Sequence, residues 1–408
     1  MTLDMTKGNP FPIILKFMIP LFIGNVFQQL YNMADTIIVG RFVGADALAA
    51  VGATGTIMFL VLGFSQGLCT GFTVLTSQVY GAQDYARVKR SVANGILLAA
   101  IVIVVMTTLS VSMMRPLLHL MNTPANIFED AHTYISIICM GTIASVYYNL
   151  FSAYLRAVGN SKVPLYFLVF SACLNVVLDL FFIIGLKLGV AGAALATDLS
   201  QGISAVLCLL YIYKKEKVLW PERHDWHINS SDTQRQMSVG VPMALQFAIT
   251  ASGTIIMQSA INLFGSTAVA ATTAANKLHS VLTQEMNSMG QAMATYSGQN
   301  YGSGKSERIS AGVRAAIVIE TIYSIIAAII CLLLLRPVMA IFFAGSGSIE
   351  EMMPWASTYV HIATLFYIPL SFIFIFRNTM QGCGHGFLPM MGGVVELLAR
   401  LIIALFAM

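Results

Sequence analysis

Charged residues are scarce in this sequence. They make up only 10% of its 408 residues, and 57% of the residues are hydrophobic. A soluble domain carries roughly 25% charged residues, so this composition excludes an ordinary soluble protein. The formal net charge is only +4, which does not provide the strongly basic surface that a nucleic-acid partner requires.

Paired cysteine motifs are missing as well. The six cysteines show no CxxC spacing, so nothing indicates a disulfide framework or a zinc site, and we expect six free thiols. Runs that alternate apolar and polar residues are also absent, which argues against a transmembrane barrel. Instead, the apolar residues form runs of about 20 to 30, long enough to cross roughly 30 Å of hydrocarbon as helices.

These runs predict an all-α, multi-pass membrane protein. We place eleven spans near residues 13–40, 47–76, 92–114, 131–154, 164–186, 190–213, 239–264, 268–297, 312–335, 356–377 and 388–408. Most of the 22 basic residues fall in connections on one side of these spans. The positive-inside rule therefore places the amino terminus in the cytoplasm, and we expect the protein in the plasma membrane.

The two halves of the chain resemble each other. An offset of 221 residues pairs Gln78 with Gln299, and after a slip of four an offset of 225 pairs Gly159 with Gly384. Six spans separate the copies, so both halves have the same orientation in the membrane. Parallel repeats of this kind are typical of transporters in which the substrate path lies between the halves.

The repeat predicts two helical lobes joined by a polar segment. We place the lobes at 1–213 and 239–408, with a cytoplasmic linker at 214–238. The first lobe has six spans and the second only five. The offset of 225 would put the missing copy of the sixth span just beyond Met408. We therefore expect six plus six spans in a complete protein, and interpret this chain as a truncated form without its last helix.

Three short motifs carry a family resemblance. Residues 32–36 (Asn-Met-Ala-Asp-Thr), the alanine-rich run 47–52 and residues 298–302 (Gly-Gln-Asn-Tyr-Gly) resemble the multidrug and toxic compound extrusion (MATE) family. The resemblance covers essentially the whole chain. It implies two six-helix lobes arranged as a V, and efflux of amphipathic, often cationic compounds driven by the entry of sodium or protons.

Ionisable residues inside spans are candidates for function, because each costs about 2.5 to 3.5 kcal/mol to insert. Asp35, Asp179 and Thr197 lie at a similar depth, roughly 10 Å below the outer surface. Asn175 lies one turn below Asp179 on the same helix face. Their oxygens suit a hard cation such as sodium, and two carboxylates in one low-dielectric site can instead hold a proton. The alternative is a purely structural polar cluster that joins three helices.

The family resemblance implies a cation site at these same four residues in the amino-terminal lobe. Asp198 ranks second as a ligand, because it points about 100° away from the neighbouring Thr197 on a helix. The second half departs from this pattern, since the offsets replace the two acids by Ile256 and Ala404. We therefore expect no copy of the site in the carboxy-terminal lobe.

The second half contains other acids within spans. Glu285 lies near mid-depth, where together with Lys277 it could line a central cavity and recognise cationic substrates; an ion pair is the alternative. Glu396 and Arg400 are four residues apart, and we expect them to form an ion pair. No role for Glu320 follows from the sequence.

Glycine and proline positions predict where helices pack and bend. Gly63, Gly67 and Gly71 recur every four residues within one span, a spacing that allows another helix to approach closely. Pro20 and Pro242 lie at nearly matching places in the two halves and are candidate bend points.

These features predict a secondary active multidrug exporter that works by alternating access. The alternative is a lipid-linked saccharide flippase of related architecture, but such a carrier needs several intramembrane basic residues, and only Lys277 and Arg400 are available. No nucleophile or metal-ligand constellation indicates an enzyme. We expect no cofactor, no metal other than sodium as coupling ion, and small amphipathic or cationic substrates and membrane lipid as partners of a monomer.

Overall fold

The chain is almost entirely helical. The computed structural model describes residues 2–121, 123–342 and 349–407, so that Met408, the last residue of the predicted carboxy-terminal lobe, lies outside them. In order, the helices are α1 Pro10–Phe42, α2 Ala45–Gly81, α3 Tyr85–Leu120, α4 Phe128–Met140, α5 Thr142–Ala157, α6 Lys162–Asp179, α7 Gly189–Lys215, α8 Ser230–Asn262, α9 Ser266–Gly302, α10 Ser306–Phe342, α11 Ile349–Leu365, α12 Tyr367–Gly382 and α13 Phe387–Ala407. No β-strand occurs among the described residues.

These helices correspond to the predicted spans. Eight single helices are long and apolar enough to cross a membrane, and two bent pairs, α4 with α5 and α11 with α12, qualify together. The helix α9 has 37 residues, the same length as α2, and lies where the remaining span is predicted. The prediction of an all-α, multi-pass membrane protein is confirmed.

Two spans are broken at matching positions. The helices α4 and α5 meet at Gly141 with a bend of 46°, and α11 and α12 meet at Phe366 with a bend of 50°. Residues 141 and 366 are 225 positions apart (366 − 141), which is the offset that relates the two halves in sequence. The halves therefore share an unusual structural feature as well as scattered residues.

Glycines bring α2 and α8 into close contact. A Cβ atom on Gly71 of α2 would lie only 2.2 Å from Gly240 Cα, and one on Gly67 only 2.7 Å from Ala244 Cα. Any larger side chain at these positions would push the two backbones apart. The close packing that the glycine spacing predicts is confirmed.

A second contact joins α2 and α9 at the end where both helices finish, which we call the closed end. A Cβ atom on Gly81 would lie 1.9 Å from the carbonyl oxygen of Gln299, and one on Gly302 would lie 1.8 Å from that of Gln78. Each glycine thus packs against the glutamine of the other repeat copy, and the two halves meet symmetrically here.

The same helices separate toward the opposite end, which we call the open end and where α2 and α9 begin. At Gly52 and Gly55 of α2, no atom lies within 4 Å of a Cβ position. A cavity of about 270 Å³ is lined by residues of α2 and α8, including Phe59 and Ile255. Tight packing at one end and separation at the other give the molecule its V shape.

The helix α1 packs against both halves of the chain. Near the closed end its Phe17 belongs to a core cluster with Met293 of α9 and Ile319 of α10. Toward the open end its Val39 packs instead with Ala194 of α7. The predicted bend point Pro20 lies inside α1, close to the part that contacts the second half.

The segment between the halves is shorter than the predicted linker 214–238, because α7 extends to Lys215 and α8 already begins at Ser230. It is fastened to α3 by an ion pair, in which Lys89 Nζ donates to Glu222 Oε1 at 2.5 Å. The hydrogen bond and positive charge of Lys89 lower the pKa of the Glu222 carboxyl below its usual range.

Candidate cation site

The structure brings the four predicted ligands together in the first half of the chain. The helix α1 supplies Asp35, α6 supplies Asn175 and Asp179, and α7 supplies Thr197. Asn175 and Asp179 have no exposed surface, and the other two side chains are at most 8% exposed. Three helices therefore converge on one buried polar cluster.

The side chains of this cluster are within hydrogen-bonding range of one another. The carboxyl groups of Asp35 and Asp179 contact each other directly. The Asn175 amide lies 2.9 Å from Asp179 Oδ2 and donates to it when its nitrogen occupies that position. The other amide position lies 3.4 Å from Thr197 Oγ1. Carboxylate, amide and hydroxyl oxygens, the ligand types that a hard cation prefers, thus lie side by side.

The backbone of α6 changes its geometry at this cluster. Regular α-helix ends at Asp179, and a π-helical turn continues the chain over Leu180–Gly185. Such turns are rare and occur frequently at functional sites. The wider turn begins at the acidic residue itself, so the direction of the Asp179 side chain depends on it.

Two tyrosines, which the sequence reasoning missed, lie beside the cluster. Tyr31 is one helical turn before Asp35, and its hydroxyl lies 3.4 Å from Thr197 Oγ1. Tyr134 of α4 is 2% exposed and close to both acids. The spacing of four residues between Tyr31 and Asp35 was a usable signal. For Tyr134 we find none in the sequence.

The acid pair has no basic partner. Neither Asp35 nor Asp179 takes part in any ion pair found among the described residues. The Oδ1 atom of each is buried without a hydrogen-bond partner. Two buried carboxyl groups in contact are unfavourable unless a cation or a proton compensates their charge. The arrangement is therefore chemically suited to take up a small cation.

Asp198 lies in a different environment. Its carboxyl packs against Gly141, where the span formed by α4 and α5 is broken, and a Cβ atom on that glycine would lie 2.0 Å from Asp198 Cγ. Its Oδ1 atom is buried without a partner. Asp198, the residue of second rank, thus borders the broken span.

Glu285 is buried within the second half. It lies on α9, is 2% exposed, and its carboxyl contacts that of Glu320 on α10, which has no exposed surface. Lys277 is exposed. The structure therefore joins Glu285 to an acid for which no role was predicted. Recognition of cationic substrates by Glu285 stays a prediction.

In the second half, the residue that the repeat aligns with Asn175 is Arg400. The predicted ion pair between Glu396 and Arg400 is confirmed. Nearby, the Gln246 amide of α8 lies 2.7 Å from Arg377 Nη1 and 3.0 Å from Gln381 Nε2. An arginine and two amides thus lie close together among the helices of the second half.

Together, the V of long helices and the broken spans define a multi-pass helical transporter. The sequence profile of the MatE family matches residues 20–181 and 242–406, and the chain belongs to this family of multidrug efflux (MATE) transporters. The family resemblance predicted from the sequence is confirmed.

Similar proteins agree with this assignment. The probable multidrug resistance protein YpnP of Bacillus subtilis is 32% identical over 315 residues, which cover 75% of this chain and 68% of YpnP. The probable multidrug resistance protein NorM of Thermotoga maritima is 26% identical over 388 residues, covering 92% and 81% of the two chains. A solved outward-facing multidrug resistance MATE family transporter has the same fold, with a TM-score of 0.89, 23% identity and coverage of 99% and 94%.

Proposed function

We propose that this MATE transporter is an antiporter that couples the entry of sodium ions or protons to the export of amphipathic, often cationic compounds. The observation that carries the proposal is the buried contact between Asp35 and Asp179, which has no basic partner. Cation uptake changes the charge of such a site, and it couples an ion gradient to a conformational change when the affinity for the cation differs between the conformations.

The helix α1 offers a physical route for the coupling. It carries Asp35 near the open end, and its earlier part packs against α9 and α10 near the closed end. Cation binding lowers the negative charge of the acid pair and lets α1, α6 and α7 pack more closely. We infer that α1 transmits this change to the contacts that hold the closed end together, so that cation and substrate favour opposite states.

The distribution of basic residues supports an orientation for this cycle. With the amino terminus in the cytoplasm, the closed end faces the cytoplasm and the V opens to the outside. We propose a plasma-membrane location, contact with membrane lipid and small-molecule substrates as ligands, and a monomer as the working unit. The cation site is then reached from the outside, the direction from which sodium or protons enter.

Transport by proteoliposomes tests the proposal. The full chain is reconstituted, and uptake of a fluorescent organic cation is followed under separately imposed sodium and proton gradients. We expect Asp35→Asn and Asp179→Asn each to reduce gradient-driven transport at least tenfold, because each removes a charge that holds the coupling ion. The melting temperatures should stay the same or rise, since a buried uncompensated charge is lost.

Asp130→Asn is the matched control, because this acid is exposed on α4, and it should transport like the unmodified protein. The gradient that drives transport identifies the coupling ion. Transport at the unmodified rate in either site variant, under the gradient that drives the parent, would contradict the proposal.

A further inference from the structure

A second pair of buried acids lies between α9 and α10, away from the Asp35 site. Glu285 is 2% exposed and Glu320 is not exposed at all. Their carboxyl groups contact each other, and all four carboxyl oxygens lack any other hydrogen-bond partner. Among the described residues, no ion pair includes either acid. Acids are expensive to bury in a membrane and are usually functional there.

A buried hydroxyl group adjoins this pair. Ser324 is 1% exposed, follows Glu320 by one turn on the same face of α10, and its Oγ atom has no partner. A serine or threonine inside a helix usually donates to a carbonyl three or four residues earlier, as Thr321 does to Ile317 at 2.7 Å. The hydroxyl of Ser324 is therefore free to contact a group in the interface between the helices.

The packing of α10 shows which way Ser324 faces. The next buried residue on its face is Ala327, which belongs to one core cluster with Met286 of α9 and Tyr367 of α12. Met286 is the neighbour of Glu285 in the chain. Ser324 thus lies between Glu320 and Ala327 on the face that meets α9 beside Glu285, and its hydroxyl is directed into the same interface as the two carboxyl groups.

The other groups around the pair are neutral hydrogen-bonding residues. On α10, Tyr323 donates its hydroxyl to Leu282 O at 2.7 Å. On α12, the hydroxyl of Tyr367 lies 3.1 Å from His279 Nδ1 of α9, farther along the interface. From α1, the amide of Asn25 faces α9. Among the described residues, no lysine or arginine lies close enough to stabilise the charge of either glutamate.

We propose that Glu285, Glu320 and Ser324 form a second ion-exchanging site, in which the two carboxyl groups share one proton that binds and leaves during transport. A single proton turns one carboxyl into a donor and leaves the other as its acceptor, which lowers the charge of the pair from −2 to −1 and removes the repulsion between two carboxylates. The oxygen–hydrogen bond forms with a proton from water and is broken by its return to water. The role in transport rests on the proposed antiport.

The helix α1 connects this second site to the first. Asn25 Nδ2 donates to Ser288 Oγ at 2.8 Å, and Ser288 lies one turn after Glu285 on α9. Phe22 packs edge-on against Tyr323 with ring centroids 6.5 Å apart. The same helix carries Asp35 near its other end. A proton gained or lost at Glu285 therefore acts on the helix that holds the Asp35 site.

Infrared difference spectra of the purified full chain, recorded between high and low pH, test this proposal without requiring transport. We expect a carboxylic-acid C=O band from a buried site that shifts in D₂O, and that is lost in Glu285→Gln and in Glu320→Gln. Proton uptake counted with an indicator dye over the same pH change should fall by one per molecule. Ser324→Ala should shift the band without removing it.

Glu307→Gln, which changes an exposed acid in the first turn of α10, should leave this band unchanged. Thermal unfolding shows that each variant is folded. A band and proton count equal to those of the parent in both glutamate variants would overturn the proposal. A transport loss in Glu285→Gln that is confined to cationic substrates would also overturn it, in favour of substrate recognition. Because Asp35→Asn is scored by transport alone, failure of the first site does not affect these readings.

Discussion

At the residue scale, four of the buried acids within the spans lie in two pairs. Asp35 contacts Asp179 in the first half, and Glu285 contacts Glu320 in the second. The pairs are not copies of each other, because they lie on helices that the repeat does not relate. Each half therefore buries two carboxyl groups side by side, at a different place in each half. The helix α1 contacts both halves.

The Tyr31 hydroxyl provides a graded test of the first site. It lies 3.4 Å from Thr197 Oγ1, and one hydrogen bond contributes about 0.5 to 1.5 kcal/mol. Tyr31→Phe should therefore raise the cation concentration for half-maximal transport roughly two- to tenfold, in a protein that still folds. Tyr213→Phe, on the exposed surface of α7, should have no effect. An unchanged cation dependence in Tyr31→Phe would show that this hydroxyl does not support the site.

Depth along the helices was enough to predict which first-half residues meet. Asp35, Asp179 and Thr197 lie equally far from the outer ends of their spans, and the structure places them together. Depth could not pair Glu285 with Glu320, because that contact also depends on how α9 and α10 are rotated. The helix α10 is apolar around much of its circumference, and the buried part of α9 mixes small, polar and apolar residues, so the pattern does not determine which face is buried.

At the scale of helices, span positions were predictable and their irregularities were not. Long apolar runs determine where a helix crosses the membrane. Pro369, three residues after the break at Phe366, removes the N–H that would otherwise bond to the carbonyl of Leu365. The break at Gly141 and the π-helical turn after Asp179 contain no proline and leave hydropathy unchanged. They depend on tertiary contacts, such as the Asp198 carboxyl that occupies the space beside Gly141, and these contacts cannot be read from one segment.

The contact between α2 and α8 can be tested at a single glycine. A Cβ atom at Gly71 would lie 2.2 Å from Gly240 Cα, so Gly71→Ala must displace backbone. We expect it to destabilise the protein by roughly 1 to 3 kcal/mol and to lower its melting temperature.

Gly52→Ala on the same helix is the matched control, because its Cβ meets no atom within 4 Å. Alanine is the better helix former by about 1 kcal/mol, so this variant should be as stable as the parent or more so. Equal melting temperatures for the two variants would mean that the close approach of α2 and α8 does not contribute to stability.

At the scale of the whole molecule, function depends on the difference between the two ends. Small residues hold the halves together at the closed end, where Gly81 and Gly302 meet the carbonyl groups of their partners. Toward the open end, α2 and α8 line a cavity of about 270 Å³. Under the proposed alternating access this difference reverses, so we expect α2 and α8 to separate near their point of contact in each transport cycle.

A disulfide between α2 and α8 should prevent that separation. A Cβ atom on Gly63 would lie 3.4 Å from Phe247 Cβ, close to the range of about 3.5 to 4.5 Å found in disulfides. We therefore expect Gly63→Cys with Phe247→Cys, in a chain whose six native cysteines are replaced, to form a disulfide on oxidation. Gradient-driven transport in proteoliposomes should then stop, and a reducing agent should restore it.

The matched pair is Gly55→Cys with Thr254→Cys, on the same two helices at the cavity. No atom lies within 4 Å of a Cβ position at Gly55, so this pair should cross-link far less in the V-shaped state and should keep its transport after mild oxidation. Each single cysteine variant should likewise be insensitive to oxidant. The contrary result would be that the fully cross-linked Gly63→Cys and Phe247→Cys variant transports as fast as its reduced form. In that case α2 and α8 would move as one body, and the opening would have to occur between other helices. The contact between α1 and α9 would then be the next one to test.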